Sequence, residues 1–226
     1  RGVRRIDDLV VSHGDNDHAG GLSLLAQRLE IGQWFSGEVQ AIAENLAPGV
    51  AARIQPCPDG VRYWAGLALN FWHSAVSDEG NAASCIVEVY HPGSGTSLWL
   101  TGDITKAVER EMLAAGAHQR LAVGRTQQWV LAPHHGSGTS SSDDWIRAMA
   151  PDGVIYTAGY QHRYGHPHPE VTRRYRDAGA EALNTACSGE ISLTFNGDGP
   201  VIHERRDFAP FWIGGAGLAR DQCQIP

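Results

Sequence analysis

A chain of 226 residues with 42% apolar side chains can build one sizeable core, and this excludes an extended disordered polypeptide. The formal charge of −7 excludes a surface that attracts polyanions generally, so any contact with nucleic acid or anionic lipid has to be local. No apolar run reaches the length of a membrane span, and the opening "RGVRRIDDLVV" carries no long leader-like apolar stretch.

In chain order, "DDLVVS" is predicted as a short strand, and "LSLLAQRLE" after Gly20 and Gly21 places its leucines at helical spacing. The stretch "SHGDNDHAGG" between them therefore lies on a strand-to-helix connection. "VRYWAGLALNFWH" and "SCIVEVYHPGSGTSLWLTGD" alternate apolar and turn residues like antiparallel strands, the second with a glycine-rich hairpin turn at 93–96. "TKAVEREMLAAGA" is an amphipathic helix capped by Thr105 and closed at Gly116. "QQWVLAPHHGS" reads as a strand running into a polar loop. Then come a short helix ("SSDDWIRAMA"), a strand ("DGVIYTAG"), a helix ("HPEVTRRYRDAG") and a strand ("GEISLTF"). One domain over 1–206 is expected, followed by a loosely packed extension over 207–226. The cysteines, Cys57, Cys85, Cys187 and Cys223, form no C-x-x-C pair; disulfide pairing stays open, and Cys85 in its apolar run reads as a small buried hydrophobe.

Four polar clusters fall on the connections. His13, Asp15, Asp17 and His18 crowd acids and imidazoles into one turn. Either aspartate alone would serve as a helix cap, but four such groups suit a Zn, Mn or Fe ion, since close acids would otherwise repel one another. Asp103 ends the strand "LWLTGD"; alone it is a turn aspartate. Adjacent histidines usually face different ways, so of His134 and His135 in "APHHGSGT" one is expected to bind a metal while the other meets substrate; a surface turn is the plain alternative. "YQHRYGHPHPE" carries His162, His166 and His168 ahead of Arg173, Arg174 and Arg176, a solvated face or a phosphate site.

Together these pieces resemble the metallo-β-lactamase superfamily, whose H-x-[HD]-x-D-H hallmark is matched by His13, Asp15, Asp17 and His18, with "TGD" and "PHHGS" following in order. The aspartate at the second position, the HHGS and "YGHPHPEV" are similar to the C-terminal hydrolase domain of ComEC competence proteins, over His13 to about Phe195. The resemblance implies an α+β class, an αββα sandwich, and two divalent ions, Zn2+ or Mn2+. His13 and Asp15 would hold the first, Asp17, His18 and His135 the second, and Asp103 would bridge, with His134 a second-choice ligand. A histidine that completes the first site in many relatives has no counterpart in "SDEGNAASCIVEVY"; Asn81, Ser84 or water takes its place, an oxygen-rich shell that tilts the ion towards manganese. The superfamily's opening strands do not precede the motif, so a fragment lacking its N-terminal strands is expected, with an open edge and exposed core prone to aggregation.

The activity implied is metal-dependent phosphodiester hydrolysis of DNA, single- or double-stranded, during uptake. His134 or His166 would contact a phosphate oxygen or protonate the leaving oxygen, and Arg163 and Arg173 would hold the backbone. Such a domain would work at the extracytoplasmic face of the bacterial inner membrane, beside membrane-spanning parts of its parent protein and other DNA-uptake proteins. The alternatives are a phosphorylcholine-esterase-like or lactonase-like hydrolase of small esters, and a degenerate module that contacts DNA without cutting it.

Overall fold

The computed structural model describes residues 2–75, 77, 79–159, 163–196 and 199–204. The extension from Asp207 and His162 of the fourth cluster lie outside these residues. The small sheet is parallel, with β1 (Arg5–Val11), β2 (Glu30–Ser36) and β3 (Ile54–Pro56) side by side in that order. Between them run α1 (Asn16–Ala19), α2 (Leu22–Arg28), α3 (Val39–Ala43) and α4 (Pro48–Ala51). The large sheet begins with β4 (Gly60–Trp64), β5 (Leu67–Trp72), β6 (Ile86–His91) and β7 (Thr96–Leu100), each antiparallel to the next. It continues through β8 (Gln127–Leu131), β9 (Gly153–Tyr156) and β10 (Glu181–Asn184), all parallel to β7. Helices α5 (Lys106–Ala114), α6 (Asp143–Met149) and α7 (Pro169–Asp177) supply the crossovers, α8 (Thr185–Ser188) follows β10, and β11 (Ile191–Asn196) pairs with β12 (Gly199–Glu204) as a separate hairpin.

Side-chain alternation explains the layering. Along β7 and β8, Trp99 and Val130 face one way, into a core of Ile104, Val108, Met112, Trp145, Ile146, Val171 and Tyr175 from the α5–α7 side. Leu98, Leu100, Trp129 and Leu131 face the other way. There Val10, Phe71 and Val87 share one cluster, while Ile191, Leu193 and Ile202 of the hairpin cover Trp129, Ile155 and Leu183. In β2, Trp34 packs under α2–α4 while Phe35 turns inward to Phe71, ring centroids 6.5 Å apart. The order helix, sheet, sheet, helix is the expected α+β sandwich. A cleft of about 550 Å3 separates β1 and α2 from the inner face of the large sheet. Leu9, Val11, Leu25, Val87, Leu100 and Leu131 line it, and it reaches His18, Asp103 and His135.

Local expectations meet two differences. Thr105 occupies the first cap of α5 but its side chain makes no capping bond; the loop carbonyl of Thr139 takes the Lys106 amide instead. Ser142 does cap α6, accepting from the Trp145 amide, and His168 caps α7 ahead of Pro169. Cys85 is buried, as expected of a small hydrophobe, but it is bonded to Cys57 across a separation of 28 residues. The bond ties the end of the small sheet to the start of β6. Closing a loop of that length restricts the unfolded chain and stabilises the fold by about 3 kcal/mol. Reduction, or the pair Cys57→Ser and Cys85→Ser, is expected to lower the denaturant midpoint accordingly.

Candidate metal centre

The histidines and aspartates of the first three clusters gather at one rim of the sandwich, from strand ends and from α1, which carries Asp17 and His18 behind its first residue Asn16. His13 follows β1, Asp103 follows β7, and His134 and His135 follow β8. His18 Nε2 lies 3.2 Å from Asp103 Oδ1, and His135 Nε2 lies 3.6 Å from Asp103 Oδ2 and 3.4 Å from Asp17 Oδ2. Two sets of ligand atoms result, His13 with His18 and Asp103, and Asp17 with His18 and His135, each set within 4.8 Å of itself. Asp15 sits at the margin, its Oδ2 3.4 Å from His13 Nε2, and His134 Nε2 stands 3.7 Å from Asp103 Oδ2. His166 is one ring further out, 5.8 Å from the His134 ring.

The Nε2 atoms of His13, His18 and His135 are buried and make no hydrogen bond of proper geometry. Buried donors or acceptors left this way cost free energy unless something binds them. Their Nδ1 atoms are all engaged from behind: His13 and His18 each lie 3.1 Å from Ser12 Oγ, and His135 is 3.0 Å from both the carbonyl and the hydroxyl of Thr157. Imidazoles fixed through Nδ1 with Nε2 converging on carboxylates suit a cation in each set, and the mixed nitrogen and oxygen donors suit zinc or manganese. Ser84 reaches His13 through Nδ1, at 3.4 Å, and also accepts the Asp103 amide at 3.1 Å. It therefore supports the ring and the Gly-Asp turn from behind. Asn81 takes part through its carbonyl, which accepts from the Ser84 amide.

A sequence profile of the metallo-beta-lactamase superfamily matches residues 1–159. The chain belongs to the metallo-beta-lactamase superfamily. It is similar to "Competence protein ComA" of Neisseria gonorrhoeae, 28% identical over 213 residues that cover 93% of this chain and 28% of that protein. "Recombination protein 2" of Haemophilus influenzae is 28% identical over 96% of this chain and 26% of its own length, and "ComE operon protein 3" of Bacillus subtilis is 26% identical over 86% and 25%. The chain thus spans about a quarter of the length of these relatives.

Within this superfamily domain the loops are held by residues that the motif does not contain. His134 and His135 both adopt left-handed backbone, φ 52° and 55°, which costs non-glycine residues about 1–3 kcal/mol each. The His134 amide donates to the Gly102 carbonyl at 3.1 Å, joining the two turns, and Lys106 Nζ donates to the Gly138 carbonyl at 2.8 Å. Fully buried Glu109 receives the amides of Ser141 and Ser142 at 2.5 and 2.9 Å, closing the far end of the same loop.

Glu38, just after β2, is the least foreseeable of these. Its Oε2 accepts the Gly14 amide at 2.7 Å, inside the hallmark, and its Oε1 accepts the Gly80 amide at 3.0 Å, at the loop that leads to Ser84. One carboxylate clamps both walls behind His13. Glu38→Ala leaves two amides unpaired and lets the His13 loop move. We expect affinity for Zn2+ or Mn2+ to fall about 10- to 100-fold, in line with other supporting residues. Competition against a chelating dye measures this, and Glu38→Gln, keeping one acceptor, should fall between.

The electrostatics divide the two hallmark histidines. Burial, and then the neighbouring His18, hold His13 below the ordinary imidazole value. The Asp103 contact outweighs burial at His18 and holds it above. Burial alone would push the Asp103 carboxyl up, but its contact with His18 and the charges of His135, His18 and His134 bring it below the usual range. In the metal-free protein the His18 ring signal should therefore titrate at higher pH than that of His13 by NMR. As pH falls His18 takes up its proton first, so metal loading weakens from that side; coincident midpoints would contradict this reading.

Proposed function

We propose that this domain is a two-metal phosphodiesterase that cleaves DNA as part of a DNA-uptake protein. The observation that carries it is Asp103, only 4% exposed, whose two oxygens face different imidazoles, His18 on one side and His134 and His135 on the other. In this reading His13 and Asp15 hold one divalent ion, Asp17, His18 and His135 hold the other, and Asp103 lies between, with zinc or manganese as the ions. When bound, such a pair lowers the pKa of a shared water and neutralises charge on a phosphoryl group. His134, whose Nδ1 is 3.2 Å from Thr139 Oγ1, and His166 beside it stand on the rim, placed to bond a phosphate oxygen or return a proton to the leaving oxygen.

The names of two relatives speak of competence or recombination, which supports DNA as the substrate, membrane-spanning parts of a longer parent as neighbours, and other uptake proteins as partners. The Cys57–Cys85 bond supports an oxidising, extracytoplasmic location, since disulfides persist outside the reducing cytosol. None of the helices among the described residues is long and apolar enough to cross a membrane. The apolar cleft reaching Asp103 favours a second reading, hydrolysis of a small apolar ester.

Incubation of metal-loaded protein with a single-stranded oligonucleotide, linear duplex and a small lactone or choline phosphodiester distinguishes these, with ion content read by mass analysis. Two ions per chain with DNA cleavage are expected. Ester turnover without DNA cleavage would replace the substrate, and absence of bound metal with intact DNA binding would leave a non-catalytic module.

A further inference from the structure

The fourth cluster holds a feature that the metal chemistry does not use. Tyr164 stands on the loop entering α7 with 61% of its surface exposed. Its ring is near-parallel to His166, with centroids 6.1 Å apart and planes at 27°, and His166 in turn meets His134 at 5.8 Å. The Arg163 guanidinium lies 4.7 Å from the Tyr164 centroid and donates to its hydroxyl. A column of ring contacts, edge-on at 61° between His134 and His166 and stacked between His166 and Tyr164, thus runs from the rim of the metal cluster outward, ending in a cation.

The column's base is fixed. The His168 amide donates to the Gly136 carbonyl at 2.8 Å, and a Cβ on Gly136 would come within 2.8 Å of both Pro167 and Tyr156. The loop carrying Tyr164 is therefore fastened to the turn carrying His134 and His135. The other large exposed aromatics among the described residues, Tyr63 and Trp64, sit on β4 at the opposite edge of the large sheet, where Trp64 pairs with Leu67.

We infer that Tyr164, with Arg163, forms a stacking subsite for an unpaired nucleobase of the strand whose phosphate lies at the metal cluster, the base taking the ring face over which Arg163 now lies and the guanidinium turning to the base edge or the next phosphate. Aromatic rings bind single strands because every base offers a flat face, and a guanidinium beside the ring serves either the base or the next phosphate. A paired base hides its face within the duplex, so this subsite selects single-stranded over duplex DNA. The inference rests on the nuclease reading and adds to it the form of the substrate and the residue that recognises it.

The test compares wild type, Tyr164→Ala and Tyr164→Phe on a labelled oligothymidylate and on an abasic strand of the same length. Binding is read by fluorescence anisotropy on metal-stripped protein, and cleavage kinetics on loaded protein. Tyr164→Ala should weaken binding of oligothymidylate and raise its KM by about 5- to 100-fold with kcat nearly unchanged, while the abasic strand is affected less than about twofold. Tyr164→Phe should restore the wild-type values. Equal losses on both strands, unchanged binding of oligothymidylate, or no binding by wild type would each overturn the subsite. Wild type that binds the strand through Tyr164 without cutting it would overturn the nuclease reading alone, because the anisotropy comparison needs no cleavage.

Discussion

Asp103→Ala is expected to reduce bound metal from two ions to one or none and to lower DNA cleavage about a thousandfold or more. Metal ions supply several kcal/mol of charge stabilisation in the transition state, and each 1.36 kcal/mol is tenfold in rate. Asp103 is the group whose loss removes most of this, because its two oxygens approach His18 at 3.2 Å and His134 and His135 at 3.7 and 3.6 Å. The fold should survive. The turn is held by backbone groups that alanine keeps: the residue's own amide on Ser84 and the Gly102 carbonyl receiving the His134 amide. Circular dichroism and melting of the metal-free variant would check that, while mass analysis and single-strand cleavage read the loss. Full turnover by a variant stripped, repurified and reloaded would refute the placement of Asp103 between two ions.

A comparable loss is expected from Gly37→Ala, a residue that touches no ligand. A Cβ there would stand 1.6 Å from the Ala83 carbonyl oxygen and 2.8 Å from the Ala83 carbon and the Cys85 nitrogen. Every neighbour is backbone, so no rotamer change relieves the overlap and the corner between β2 and α3 has to move. Overpacking of this kind costs about 3 kcal/mol or more, against a total stability of roughly 5–15 kcal/mol. The same corner carries two hydrogen bonds to the Ser12 carbonyl, from Gly37 at 3.3 Å and Cys85 at 2.9 Å, and it carries Glu38. Gly37→Ala should therefore melt well below wild type and fail to load metal even where it folds. Gly49→Ala is the control, since nothing lies within 4 Å of its added methyl. Equal melting of the two variants would contradict the packing described here.

The site was legible in the sequence where chemistry is concentrated in short runs. His13 through His18, "TGD" and "PHHGS" carry donor atoms that have few other reasons to be adjacent, and the structure brings all three to one rim. The strands from β4 to β9 were legible as short apolar runs between turn residues, whereas β10, the four-residue "EALN" at the sheet edge, was missed because it is too short to show a period. The region 30–56 gave no such signal: in "EIGQWFS" buried Trp34 and Phe35 are consecutive, serving opposite faces, and Gly32 is set by a Cβ clearance of 2.3 Å from the Asp7 carbonyl. β12, "GPVIHE", follows the predicted "GEISLTF" strand with Val201 and Ile202 consecutive and no alternation, and escaped for similar reasons. Glu38 was invisible because its partners are backbone amides, which no side-chain pattern records. The Cys57–Cys85 pair could not be read from spacing, as four cysteines allow several pairings.

Ser12 has the widest consequence of the residues behind the cluster. Its single oxygen sits at 3.1 Å from Nδ1 of both His13 and His18. A hydroxyl offers two lone pairs and one proton, so it can accept from both rings at once. Without a cation the His18 Nε2 proton faces Asp103; with one bound, each ring would keep its hydrogen on Nδ1, towards Ser12, and offer its Nε2 lone pair to the ion. Ser12, joined at His13 by Ser84, thus bears on the tautomer of both imidazoles. The two ions would then be coupled without touching: a rearrangement that turns one ring would release the other's proton partner, so loading of the second site should depend on occupancy of the first.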